Sequence, residues 1–423
     1  MSIAFPTISW ANGSNIYEVN LRQYTREGTF AAFLEHIPRL RDMGVDMLWF
    51  MPVTPISEVK RQGSLGSYYA ASSYTKIDAA YGTDEEFRNL VSLAQQHGMK
   101  VLIDWVANHT GYDHEWTKTN PEYFRKDSER NFTEIYGWED VIDLDYEVPE
   151  LRKAMINCMK YWVNEFNIDG FRCDMARTVP VDFWVEARNA CDNIKPLFWL
   201  AECEIVSYHE AFDVTYGWEV MRACDKYFKG ELPFSDISEA LLKYTYYPIG
   251  SRKLLFTSNH DENSYWGTEY EKYGVAAKAM AVFSCTFPGI PLIYSGQEKP
   301  NLRRLAFFEK DHIDWEGKVE LHDFYRQLLA LRKTNKALQQ DASVLLLKPA
   351  QTEVLAYLCR REKDRVLVIL NLAKEERRVE IEHPAIIGSY NKLFENNQVT
   401  LSRSVQFNMP AGDYQVLYST DSA

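Results

Sequence analysis

Short apolar runs alternate with longer helical patterns through most of this chain, and that alternation restricts the fold more than any other feature. Residues 16–21 read as a strand, followed by Phe30, Phe33, Leu34, Ile37 and Leu40 at helical spacing. Residues 47–53 form the next apolar run. Phe87, Leu90, Val91 and Ala94 then mark a helix that should stop at Gly98. Further strands are expected at 101–106, 171–175, 198–201, 254–258 and 291–294, with a less legible one between Val214 and Met221. Helical stretches at 151–166, 275–287 and 321–331 separate them. Repeated strand–helix units imply a parallel sheet covered by helices, and eight of them close into a barrel. An open doubly wound sheet is the alternative, but no glycine-rich phosphate loop follows the first strand.

Two segments break the rhythm. Residues 110–149 are polar and aromatic, with Tyr112, His114, Trp116, Tyr123, Phe124, Tyr136 and Trp138. They lie between a strand and its helix, on the barrel face where active sites sit, and should wall that site. Beyond about Ala337, apolar runs at 344–347, 354–358, 366–369, 379–381 and 416–418 follow one another without helices. Turn signals such as Asn396-Asn397 and Pro410-Ala411-Gly412 separate them. The expected fold is therefore α/β: a (β/α)8 TIM barrel from 1–109 and 150–338, a short insertion after the third strand at 110–149, and a C-terminal antiparallel all-β domain at 339–423.

Four segments place charged groups at the ends of apolar strands: Asp104-Trp-Val-Ala-Asn108-His109, Gly170-Phe-Arg172-Cys-Asp174, Leu200-Ala-Glu202 and Asn259-His260-Asp261. Buried charge is costly without partners or a polar cavity, and the strand ends of a barrel converge on one cavity. Taken singly, an Asp there is more often a cap or turn residue. Taken together, Asp174, Glu202 and Asp261 offer three carboxyl groups to one place, which suits glycoside hydrolysis. That reaction sets a protonated carboxyl and an ionised one on either side of the bond. Crowding lifts the pKa of at least one member. Arg172 lies two residues from Asp174 on a strand, so it shares its face and can hold it ionised. His109 and His260 can donate to sugar hydroxyls.

The balance of 47 Lys and Arg against 60 Asp and Glu gives a net charge of −13. This argues against nucleic acid as the main partner, which wants a basic face. It suits a neutral oligosaccharide or polysaccharide. Seven cysteines with no C-x-x-C pair read as buried free thiols in a reducing compartment. The opening Met-Ser-Ile-Ala-Phe-Pro lacks a basic-then-apolar leader, and no apolar run reaches membrane-spanning length. A soluble, cytoplasmic protein without a membrane partner is expected.

In order and content, these segments resemble the conserved motifs of the alpha-amylase family, glycoside hydrolase family 13. Val141-Ile-Asp-Leu-Asp145, Gly44-Val-Asp-Met-Leu-Trp-Phe-Met-Pro52 and Gly289-Ile-Pro-Leu-Ile-Tyr-Ser-Gly-Gln-Glu298 resemble three more. The resemblance runs from about residue 16 to 335, and the antiparallel domain at 339–423 resembles the family's C-terminal β-sandwich. It implies a retaining hydrolase of α-linked glucans or maltooligosaccharides. Asp174 would be the nucleophile, Glu202 the general acid and then base, and Asp261 the group that stabilises the transition state. Asp104, His109, Arg172 and His260 would line the reacting sugar's subsite. Tyr69 would stack on that sugar, and Arg303 or Arg304 is a further candidate to reach it. No cofactor is required, and the resemblance leaves a structural calcium open, with Asn108 matching a frequent ligand. A transferase or isomerase of the same family, and a non-catalytic binding relative, are the alternatives. The chain departs from the family in reading Met175-Ala176-Arg177 after Asp174, where many amylases place a Lys-His pair on the leaving-group sugar. It also has Ser73 where Asp is common.

Overall fold

A computed structural model describes residues 5–6, 8–248, 250–395 and 397–419. The opening Met1 to Ala4 and the Asn396 of the expected Asn396-Asn397 turn lie outside these. Eight parallel strands close into a barrel: β1 Ile16–Val19, β2 Met47–Phe50, β3 Lys100–Val106, β4 Gly170–Asp174, β5 Phe198–Ala201, β6 Val214–Tyr216, β7 Arg252–Phe256 and β8 Ile290–Tyr294. Neighbours in space are neighbours in sequence, and β8 returns to pair with β1. The strands are buried almost throughout, as expected when helices cover the outside and side chains fill the inside.

The helices follow the apolar periodicity. Asp84–Gln96 begins at Thr83 with a capping box in which Glu86 answers the Thr83 side chain. It buries Phe87, Leu90, Val91 and Ala94. The pattern at 30–40 is interrupted, forming two short helices, Phe30–Leu34 and Ile37–Met43. The less legible register near Val214 has a simple cause. β6 is only three residues long, and the helix Trp218–Phe228 starts two residues later. At the start of β4, a Cβ on Gly170 would stand 2.2 Å from the Phe198 carbonyl oxygen. Glycine is what lets β4 and β5 approach there.

The segment after β3 carries a two-stranded ribbon, His109–Gly111 against Val141–Asp143. After the helix His322–Thr334 come strands, with only two 3-10 turns, Lys336–Leu338 and Pro384–Ile386, among them. Six make one antiparallel sheet, and Arg377–Glu382 pairs with Ser404–Met409 in a second. One face of the larger sheet, through Tyr357, Cys359, Val366 and Val368, joins the barrel's own apolar cluster. The other face packs with Val379, Ile381 and Met409 of the smaller sheet. The seven cysteines are unpaired, and six are buried. Among the described residues, no helix is long and apolar enough to cross a membrane.

Candidate active site

Arg172 organises the C-terminal mouth of the barrel. It sits on β4 in register with Asp104 of β3 and is 1% exposed. Strand alternation puts Asp174 on the same face. Its Nη1 donates to Asp104 Oδ1 and Asp174 Oδ1, both at 2.9 Å, and its Nη2 lies 2.9 Å from Glu202 Oε2. Glu202 follows β5 directly, and its own N–H donates to the Cys173 carbonyl at 3.0 Å. Two more donations fix the assembly: Arg172 Nε to the Tyr216 hydroxyl at 3.2 Å, and Trp49 Nε1 to Asp104 Oδ2 at 3.1 Å.

A second group faces this one. His260 Nδ1 lies 2.5 Å from Glu18 Oε1, and its Nε2 lies 2.7 Å from the Tyr69 hydroxyl and 3.5 Å from Asp261 Oδ2. Tyr69 donates to Asp104 Oδ2 at 3.2 Å, which joins the groups. Its ring is layered with His260 at 5.3 Å and with Phe307 at 6.4 Å.

The charge balance determines the protonation pattern. Four largely buried carboxyl groups (Glu18, Asp104, Asp174, Glu202) crowd around two cationic side chains in a water-poor space, which disfavours ionising all of them. Burial raises Glu202 to about 7, helped by Asp174 and Asp261 and opposed by Arg172. Burial also raises Asp174 to about 6, with Arg172 opposing, and Asp104 likewise. His260 is pulled down by burial, but Asp261 and Glu18 outweigh this and lift it to about 9, so it is a cation. Burial holds His109 down to about 4, so its imidazole is neutral.

Asp104 has both oxygens committed, whereas Glu202 and Asp174 each have one. Glu202 Oε2 accepts from the Met175 N–H at 2.9 Å as well as facing Arg172. Asp174 Oδ1 takes the Arg172 bond. Glu202 Oε1 and Asp174 Oδ2 are left for the cavity, whose volume is about 510 Å³ and which Tyr69, His109, Asp174, Glu202, His260 and Asp261 line. The insertion closes one side with Trp138, whose ring meets His109 at 5.4 Å.

The fold thus brings together all eight residues singled out from the sequence: Tyr69, Asp104, His109, Arg172, Asp174, Glu202, His260 and Asp261. Arg303 and Arg304 are elsewhere. Arg303 pairs with Asp311 at 2.7 Å and Arg304 with Glu271 at 3.0 Å, both on the surface. Sequence reasoning missed Glu18, Trp49 and Tyr216. Glu18 had a signal, a lone carboxylate inside an apolar four-residue strand. Asn108 donates to Asp143 Oδ1 at 3.4 Å. Among the described residues, no three His, Cys, Asp or Glu side chains gather as metal ligands.

A family model for the alpha-amylase catalytic domain matches residues 9–140 and 129–196. The chain is 30% identical to a maltogenic alpha-amylase, AmyB, of Thermotoga neapolitana, whose crystal structure superposes with a TM-score of 0.88 over 96% of this chain and 98% of that one. An alpha-amylase of Lactobacillus plantarum gives 27% identity and a TM-score of 0.86, covering 96% and 99%. Alpha-amylase MalA of Haloarcula japonica is 26% identical over 395 residues, or 87% of this chain, which spans only 56% of that protein's length.

Proposed function

The chain belongs to the alpha-amylase family of glycoside hydrolases, and from that premise we propose that it cuts α-linked glucans or maltooligosaccharides with retention, through a covalent glycosyl-enzyme. The observation that carries this reading is the grip of one guanidinium on Asp104, Asp174 and Glu202, each at 2.9 Å. It sets two carboxyl groups beside one cavity and leaves one oxygen of each uncommitted.

Glu202, protonated up to about pH 7, gives its proton from Oε1 to the glycosidic oxygen. Asp174 Oδ2 attacks the anomeric carbon as that bond breaks, while Arg172 holds Oδ1. Glu202, now ionised, takes a proton from water, which attacks the same carbon and releases Asp174. Asp261, with His260 beside it, binds hydroxyls of the reacting sugar and counters the positive charge that develops on its ring. Tyr69, Asp104 and His109 complete the wall of that subsite. The free thiols favour a reducing, cytoplasmic setting.

Glu202→Gln separates the roles. It should cost orders of magnitude on maltooligosaccharides and far less on α-maltosyl fluoride, whose leaving group needs no proton. Equal losses on both would overturn the acid assignment, and products longer than the substrate would turn the reading towards transfer.

A further inference from the structure

At the end of the barrel opposite the catalytic mouth lies a separate cavity of about 400 Å³, within the size range of ligand clefts, roughly 300–1,000 Å³. Three parts of the chain wall it: the N-terminal ends of β7 and β8 at Arg252 and Gly289, the helix His322–Thr334 at Arg332, and the entry to the C-terminal sheet from Asp341 to Val344. Two guanidiniums line it and both are buried, Arg252 at 8% exposure and Arg332 at 3%. Neither has an ion-pair partner among the described residues. Arg332 donates to the backbone carbonyls of Ser14, Cys285 and Gly289, which fix its position but carry no net charge. Arg252 Nη1 donates to the Ala11 carbonyl at 3.0 Å, and its Nε and Nη2 are buried without a partner. Independently of the catalytic reading, we propose that this cavity is a binding site for a phosphate-type oxyanion, with the free Nε–Nη2 edge of Arg252 as its principal contact.

Charge and geometry both point to an anion. The carboxylates whose fields reach the two arginines are engaged elsewhere or exposed. Asp213 binds Arg188 at 3.0 Å, Asp46 binds Lys333 at 3.2 Å, and Asp341 is exposed on the cavity wall. Lys253, the third cation on the wall, has its own carboxylate, Glu204 at 3.6 Å. Burial lowers Arg252, and burial together with the Arg252 charge lowers Arg332 to about 10. Two like charges buried side by side are costly until a counter-ion joins them. The Nε–Nη2 edge offers two parallel N–H groups, which match two oxygens of a phosphoryl group. A spherical halide gains nothing from that fork. The cavity is larger than a phosphate ion, so it takes the ion free or as the ester of a small sugar, and the phosphoryl group is common to both. Because its walls come from the barrel and from the sheet, a bound oxyanion ties the two together. Its effect belongs to stability, as expected at the end of a barrel away from the chemistry.

The test is thermal unfolding of the full chain at pH 7.5 in sodium phosphate, glucose 6-phosphate or sodium chloride at matched ionic strength. Phosphate should raise Tm saturably, by at least about 2 °C, and chloride should not. Arg252→Met should remove that response. Asp341→Asn takes away the one carboxylate among the described wall residues, at a left-handed position (φ 67°) that Asn accepts. It should lower the half-saturating phosphate concentration at least threefold. No saturable rise in the wild type, or an undiminished rise in Arg252→Met, would overturn the proposal, and so would a half-saturation in Asp341→Asn no lower than that of the wild type. Tighter binding of glucose 6-phosphate than of phosphate would support the site and identify a phosphorylated sugar as its ligand. Equal or weaker binding of the ester, beside a phosphate response, would support it and identify the free ion.

Discussion

At the residue scale, the site is a set of carboxyl groups separated by environment. Glu202 and Asp174 are both raised by burial, Glu202 to about 7 and Asp174 to about 6. In the proposed mechanism the working form has Asp174 ionised and Glu202 protonated. The profile of kcat/KM against pH should therefore be a narrow bell, rising as Asp174 ionises near 6 and falling as Glu202 loses its proton near 7. A flat profile from pH 5 to 9 would contradict it. The same shift bears on stability. A carboxyl whose folded pKa lies above its unfolded value holds more protons when folded, so stability falls as pH rises from about 4 to about 6. Above that window the ionised group remains a liability. Asp174→Asn should thus raise the melting temperature at pH 7.5 by a few degrees while abolishing turnover, and a clear drop in melting temperature would show that Arg172 outweighs desolvation. Seven of these eight residues were legible because each sits in or just beyond an apolar run, whereas Tyr69, in a loop, was legible only through the family resemblance. Glu18 and Tyr216 were not, because the importance of each comes from a partner more than forty residues away, His260 and Arg172.

At the element scale, strand register does most of the positioning. Asp104 opposes Arg172 across β3 and β4, and Cys173 opposes Ala201 across β4 and β5, which brings Glu202 level with Asp174. Gly170 is the close-contact point of that pairing. Gly170→Ala forces a Cβ against the Phe198 carbonyl and should cost about 1–3 kcal/mol, the usual range for overpacking, read as a lower urea midpoint together with weakened activity. An unchanged midpoint would mean that β4 and β5 have slack. Most strands were readable because they are continuous apolar runs. β6 was blurred because three residues carry no period and the Trp218–Phe228 helix follows almost at once. The π-helical turn directly after Asp261, Glu262–Trp266, was invisible for a different reason: side-chain exposure depends on what packs beneath it, here Leu305, which is more than forty residues further on.

At the scale of the whole molecule, the C-terminal sheet is fused to the barrel. The Thr286 and Tyr357 hydroxyls meet at 2.6 Å, and Tyr357 packs against Phe287 at 5.2 Å. Phe324 stacks on Phe394 at 5.5 Å. A chain ended at residue 338 would leave Phe283 and Phe287 uncovered, so it should aggregate or melt well below the full chain, and the intact protein should unfold in one calorimetric transition. Two separate transitions would show the sheet to be an independent attachment. The all-β domain was foreseeable from strands without helices, but its union with the barrel was not, since nothing in a strand's alternation says what its outer face will meet.

The central claim is that Asp174 and Glu202 flank one α-linkage and cleave it by double displacement. The most direct measurement incubates wild type and Asp174→Asn with maltoheptaose and follows the first minutes by proton NMR alongside chromatography. Double displacement predicts shorter maltooligosaccharides whose new reducing ends appear first as the α-anomer, with no products from the variant. Ends that appear first as the β-anomer, or near-normal turnover by Asp174→Asn, would contradict it.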